Sequence, residues 1–131
     1  EAVGLDNIFI FGLRADEVED VWNKGYNSSQ HYNQNDRLRR VIESLIRGYN
    51  GESFANMANY LLTGTPVADP YMCMADFESY TATQKKLKNL YAGDKMQWAK
   101  ISLQNIAAAG IFSADRSIKE YATNIWNLKS L

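Results

Sequence analysis

His31, Cys73, Asp76 with Glu78, and Ser113 are the side chains whose type or spacing invites a chemical reading. His31 is the only histidine and stands in a polar stretch, so an ordinary surface or half-buried ring explains it better than a catalyst or a metal ligand. Cys73 is the only cysteine and falls in an uncharged run, where a thiol behaves as a small buried hydrophobe. Asp76 and Glu78 are close enough to suggest a paired-carboxylate site. Asp76 also stands where a helix would begin, and capping explains it without catalysis. Ser113 lacks a histidine base and a nucleophile-elbow motif, so it too reads as a cap. Arg37, Arg39, Arg40 and Arg47 could hold phosphate or nucleic acid, but acids are mixed among them and no aromatic or glycine loop accompanies them; a solvated helix face accounts for them. Lys85, Lys86 and Lys88 read the same way. CxxC, HExxH, GxGxxG and Walker patterns are absent from the sequence. Asn27-Ser28-Ser29 is a glycosylation sequon, which matters only in a secreted protein. The residues therefore predict no catalytic, cofactor-binding or metal-binding position, because acid–base or group-transfer chemistry needs an inventory that this chain lacks.

Two short strands would position what there is. Tyr71 to Ala75 is uncharged, follows Pro70 and precedes Asp76, which predicts a buried strand feeding a long helix to about Tyr91. Ile8 to Phe11 is the other strand candidate, bounded by Asn7 and Gly12. The remainder reads as helix. Val18, Val21 and Trp22 share a face in a segment from Ala15 to Lys24, stopped by Gly25. A short helix starts at Ser28 or Ser29. Asn35 caps one over Asp36 to Arg47, whose Leu38, Val41, Ile42, Leu45 and Ile46 follow the i, i+3, i+4, i+7, i+8 pattern. Gly51 to Thr63 carries Phe54, Met57, Ala58 and Leu61, with Met57 read as core filler. Phe77, Tyr80, Leu87, Leu90 and Tyr91 form the buried stripe of the long helix. Asp94 caps a helix to about Ala109 with Trp98, Ile101, Ile106 and Ala109 inward. Ser113 caps the last, with Ile118, Tyr121, Ala122, Ile125 and Trp126 on its apolar face. The expected fold class is α/β, mostly helical. It combines two short buried parallel strands, about 8–11 and 71–75, with about seven helices. Two strands make a poor sheet alone, so self-association or strand exchange between copies is expected to cover them.

Composition narrows the function classes. A hydrophobic fraction of 46% and a charged fraction of 22% are those of an ordinary globular domain. A net charge of -1 supplies no field that would draw nucleic acid or an anionic membrane. No apolar run is long enough to span a bilayer, and one cysteine suits a reducing, cytoplasmic setting. The chain does not start with methionine, and Glu1 to Asp6 reads as a loop already in progress, so a piece of something longer is expected.

The order of segments resembles the C-terminal end of the α-glucan phosphorylases, the glycogen, starch and maltodextrin phosphorylase family. The resemblance lies in Asn7-Ile8-Phe9-Ile10-Phe11-Gly12 followed by an acidic helix and Gly25-Tyr26. It continues through Ala75-Asp76-Phe77-Glu78-Ser79-Tyr80, and through Trp98, Ile101-Ser102 and Asn105-Ile106-Ala107. The most specific match is Gly110-Ile111-Phe112-Ser113-Ala114-Asp115-Arg116-Ser117-Ile118, where Ile111 replaces the family's basic residue and Ala114 a serine. The resemblance implies a Rossmann-like glycosyltransferase domain, with residues 1–131 a single partial domain: the C-terminal part of the cofactor-bearing half. It also implies a parent reaction in which inorganic phosphate releases glucose 1-phosphate from an α-1,4-glucan with the help of pyridoxal phosphate. The cofactor lysine, the phosphate-binding residues and the glucose-site histidine of that family map onto no position here. The chain alone is therefore expected to be inactive, without bound cofactor, and to have the remainder of the phosphorylase as its partner. A standalone helical interaction module of the same ancestry is the alternative.

Overall fold

The computed structural model describes residues 2–128, and their architecture is helical. The α-helices are α1 Ala15–Asn23, α2 Ser28–Gln34, α3 Asp36–Arg47, α4 Ala55–Thr63, α5 Cys73–Gly93, α6 Lys95–Ala108 and α7 Ala114–Glu120. Single 3-10 turns cover Leu5–Asn7 and Ala109–Phe112, and a π turn covers Tyr121–Ile125. The chain divides into two compact units, Ile10–Lys85 and Glu1–Phe9 with Lys86–Leu131.

The α/β expectation is overturned: among the described residues there is no strand and no sheet, and an isolated bridge between Tyr49 and Glu52 is the extent of β pairing. At 71–75 the reason is local. Met72 takes a left-handed backbone, φ 54°, which a strand cannot contain, and Cys73 to Ala75 form the first turn of α5. Ile8–Phe11 lacks a strand partner and is exposed at Ile8, Ile10 and Phe11. Without a neighbour an extended run has no ladder in which to pair its amides.

The Ile10–Lys85 unit owns most of the core. Leu38, Ile42, Ala58 and Met74 are buried together, with Tyr32, Leu45, Leu61, Leu62 and Phe77 packed on them. The α3 stripe is therefore real but narrower than its periodicity suggests, since Val41 and Ile46 lie on its exposed edges. In α4 the inward residue is Ala58, and Met57 is exposed rather than core filler. Tyr80 and Tyr91 likewise lie outside the buried part of α5.

The second unit has a single buried apolar residue among those described, Ile101 of α6. Ile106, Ala109, Ile118, Tyr121, Ile125 and Trp126, all expected inward, are exposed. Capping here follows the sequence. Asp94 accepts from the Gln97 amide at 2.8 Å, and Ser113 Oγ from the Arg116 amide at 3.2 Å. In the π turn the Trp126 amide bonds the Tyr121 carbonyl five residues back, at 3.0 Å. The wider turn brings Trp126 round to the side of Tyr121, with ring centroids 6.1 Å apart.

Candidate functional site

The chemistry-bearing residues gather at the start of α5, within the Ile10–Lys85 unit. Asp69 is the centre, and at 1% exposure it is a buried acid. Its Oδ2 accepts the Tyr26 hydroxyl at 2.6 Å and the Met74 amide at 2.8 Å; its Oδ1 accepts the Cys73 amide at 2.9 Å. The Cys73 and Met74 amides are orphan donors of a helix N-terminus, so Asp69 caps α5. Burial pushes the Tyr26 hydroxyl well above its usual range, and the adjacent Asp69 carboxylate adds to the effect. Asp76, expected as the cap, lies one turn inside the helix. Its Oδ1 instead accepts the Leu13 amide at 2.9 Å.

That bond belongs to a second cluster. Ser79 Oγ accepts the Gly12 amide at 3.0 Å, Thr83 Oγ1 donates to the Ile10 carbonyl at 3.4 Å, and the Phe11 and Tyr80 rings meet edge to face with centroids 5.0 Å apart. One face of α5 therefore supplies the bonds that a neighbouring strand would otherwise supply to residues 10–13. Gly12 is required where it stands: its φ is +82°, and a Cβ would meet Asp76 Oδ2 at 2.5 Å. On the next face Glu78 accepts from Asn35 Nδ2 at 2.6 Å and from Arg37 Nη2 at 3.0 Å, while Arg37 also lies 5.9 Å above the Phe77 ring.

Asp76 and Glu78 are thus committed to different partners, and no carboxylate pair forms. The other candidates are dispersed. His31 lies half-buried with its ring 5.6 Å from that of Tyr26. Cys73 is exposed in the first turn of α5, not buried in a strand. Its thiol is pushed above the usual range by desolvation and then by Asp69, so it is a poor nucleophile. Ser113 is held by its capping role, and Arg116 beside it donates to the Ile111 carbonyl and to Glu120. Arg39 is paired with Asp36. No three potential metal ligands come together among the described residues, and no described helix is long and apolar enough to cross a membrane. Asp69 carries no reading in the sequence, and Tyr26 enters only through the Gly25-Tyr26 match. The available signal was Asp69-Pro70 ahead of an apolar run, an acid followed by the residue that opens helices.

The two segments joined here, residues 10–13 and 75–80, overlap two of the stretches that carried the family resemblance. The family model for carbohydrate phosphorylase matches residues 1–128, and the chain belongs to that family. Glycogen phosphorylase of Haemophilus influenzae is 40% identical over 129 residues, which cover 98% of this chain and 16% of that protein. Glycogen phosphorylase of Bacillus subtilis is 38% identical over 135 residues, with shares of 100% and 16%. The liver form from Homo sapiens is 37% identical over 129 residues, with shares of 98% and 15%. The chain spans about a sixth of the length of the curated relatives it matches.

Pyridoxal phosphate, which the resemblance implies for the parent, needs a lysine amine held out of water and donors for its phosphate. Every lysine among the described residues is exposed, and Lys95 sits 3.1 Å from the centre of the Tyr91 ring rather than in a cavity. These residues do not fit the cofactor.

Proposed function

We propose that this chain is a structural, non-catalytic part of an α-glucan phosphorylase, the C-terminal part of the domain that carries the cofactor. The parent reaction is phosphorolysis of an α-1,4-glucan to glucose 1-phosphate in the cytoplasm, with pyridoxal phosphate and all reacting groups on the remaining five-sixths of the polypeptide. Exposed apolar side chains carry the reading: Ile8, Ile10 and Phe11 lie in solvent, as do Ile118, Tyr121, Ile125 and Trp126, and exposed apolar residues grouped in this way mark surface built to be covered. Family relatives are about six times as long, so the missing five-sixths is the natural cover for both segments.

The test is reconstitution. The purified chain is expected to show no Schiff-base absorbance with pyridoxal phosphate and to form no glucose 1-phosphate from glucan and phosphate. Activity is expected only when the preceding part of a phosphorylase is supplied. Either signal from the chain alone would reject the reading. The Ile10–Lys85 unit has its own core, which is the observation favouring a standalone helical module. A reading frame opening with methionine just before Glu1 would favour that module, and a continuing frame with a lysine-bearing, glycine-rich motif the phosphorylase.

A further inference from the structure

The turn between α3 and α4 carries a reactive pairing that the core does not use. Asn50-Gly51 is the one asparagine–glycine step in the chain. Tyr49 and Glu52 flank it and exchange two amide–carbonyl bonds of 2.9 Å, so the pair is the two-residue tip of a tight turn. Both tip residues are left-handed, with φ 52° and 85°, the backbone that asparagine followed by glycine accepts. Both are exposed, and a Cβ built on Gly51 meets nothing within 4 Å. Among the described residues, neither the Asn50 carboxamide nor the Gly51 amide takes part in a hydrogen bond. Other asparagines are held. Asn27, which also precedes a small residue, accepts the Ser29 amide; Asn35 accepts the Arg37 and Leu38 amides; Asn105 donates to the Asn7 and Ile101 carbonyls. Asn127 is exposed and left-handed like Asn50, but a leucine follows it, and that leucine's amide bonds the Ala122 carbonyl.

We propose that Asn50 is a site of spontaneous modification, converting to aspartate and isoaspartate through a cyclic imide. Glycine has no Cβ to obstruct the approach of its nitrogen to the preceding side chain. The Gly51 nitrogen gives its proton to hydroxide and attacks Asn50 Cγ. The new N–Cγ bond closes the imide ring; the Cγ–Nδ2 bond breaks, and the departing nitrogen takes a proton from water and leaves as ammonia. Water then adds to one of the two imide carbonyls. Opening at Cγ leaves aspartate. Opening at the main-chain carbonyl leaves isoaspartate, with the chain routed through the former side chain and the α-carboxylate free. One water is consumed and one ammonia released, and nothing is oxidised or reduced. Ring closure requires rotation about the Asn50 Cα–C bond, out of the tight turn. The bridge that must open for this is isolated and exposed, the kind of backbone pairing that opens at little cost. Isoaspartate adds a main-chain methylene between Tyr49 and Glu52, which a two-residue tip cannot hold, so this product abolishes the bridge. Aspartate tolerates the left-handed backbone and keeps it.

Ageing the purified chain in warm buffers from neutral to mildly alkaline, followed by peptide mapping, tests this. Asn50 is expected to convert ahead of every other asparagine, at a rate that rises in proportion to hydroxide. Both acids are expected at that position, with the isoaspartate identified by its acceptance of a methyl group from an isoaspartyl methyltransferase. Asn50→Gly suits the same left-handed backbone and should abolish the product with helical circular dichroism unchanged. Hydrogen exchange reads the consequence. The Tyr49 and Glu52 amides should lose their protection in the isoaspartyl fraction and keep it in freshly prepared Asn50→Asp. Conversion at Asn27 or Asn127 ahead of Asn50, aspartate formed with no isoaspartate, or protection unchanged in the isoaspartyl fraction would each overturn the proposal.

Discussion

Replacing Asp69 by alanine removes an acid on which three donors converge, and its cost can be worked out bond by bond. The Met74 amide is buried and would have no other acceptor, a desolvation penalty of about 1–3 kcal/mol. Loss of the cap itself, felt at the Cys73 amide, costs about 1 kcal/mol. The Tyr26 hydroxyl is half-buried and can turn to water, so its share is the net charge-assisted bond, about 1.5 kcal/mol. Asp69→Ala should therefore destabilise the Ile10–Lys85 unit by about 3.5–5.5 kcal/mol, a large fraction of the stability of a small domain. Tyr26→Phe removes one bond while the carboxylate keeps two amides, and should cost about 1.5 kcal/mol. Urea unfolding followed by circular dichroism measures both, and the Tyr26→Phe/Asp69→Asn double-mutant cycle should show a coupling of about 1 kcal/mol. The same pair predicts the alkaline limb. The folded state holds the Tyr26 proton above the unfolded value of 10.0. The unfolded chain therefore releases that proton first, and stability present below pH 10 is lost as pH rises beyond it. Tyr26→Phe should flatten that limb. An Asp69→Ala variant within 1 kcal/mol of the parent, or an alkaline limb unchanged in Tyr26→Phe, would refute the assignment of Asp69 as the organising cap.

Three further outcomes follow from the same geometry. Gly12→Ala should cost about 2–3 kcal/mol in urea unfolding, combining a left-handed backbone with displacement of the Asp76 carboxylate from the Leu13 amide. Ile42→Ala, at the centre of the α3 stripe, should cost about 2–5 kcal/mol, whereas Val41→Ala on the exposed edge should stay within about 1 kcal/mol. Cys73 should react with a maleimide more slowly at pH 8 in the folded chain than in urea, because its raised pKa lowers the thiolate fraction.

The helices were legible because their signals are local. Asn35 accepts the Arg37 and Leu38 amides, as its position before the α3 stripe implied, and Asp94 and Ser113 cap the helices expected of them. The α3 bounds follow from the same logic, from Asn35 at one end to Gly48 with φ 80° at the other. The strands were misread because a short apolar run fits a strand and a helix equally well. At Cys73 to Ala75 the choice was made four or more residues upstream, by the Asp69 carboxylate. At residues 10–13 it was made by Ser79, Asp76 and Thr83, more than sixty residues downstream. The apolar face of α7 was correctly read as periodic and wrongly read as buried: periodicity reports which residues share a side, and what lies opposite is a property of the assembly. The expectation of no reactive constellation rests on residue types alone. The structure adds where three of these acids went: Asp69 to two amides and a phenol, Asp76 to the Leu13 amide, and Glu78 to Asn35 and Arg37.

Two acids near the start of α5 are satisfied in opposite ways. Glu78 faces an arginine, with both side chains largely in solvent, so dissolved ions compete for each and the attraction fades at high ionic strength. Asp69 has no cation partner among the described residues; peptide dipoles and a phenol hold its carboxylate in a place that mobile ions do not reach. Concentrated brine should therefore loosen the Asn35–Glu78 side of this junction and leave the Asp69 side as tight as before.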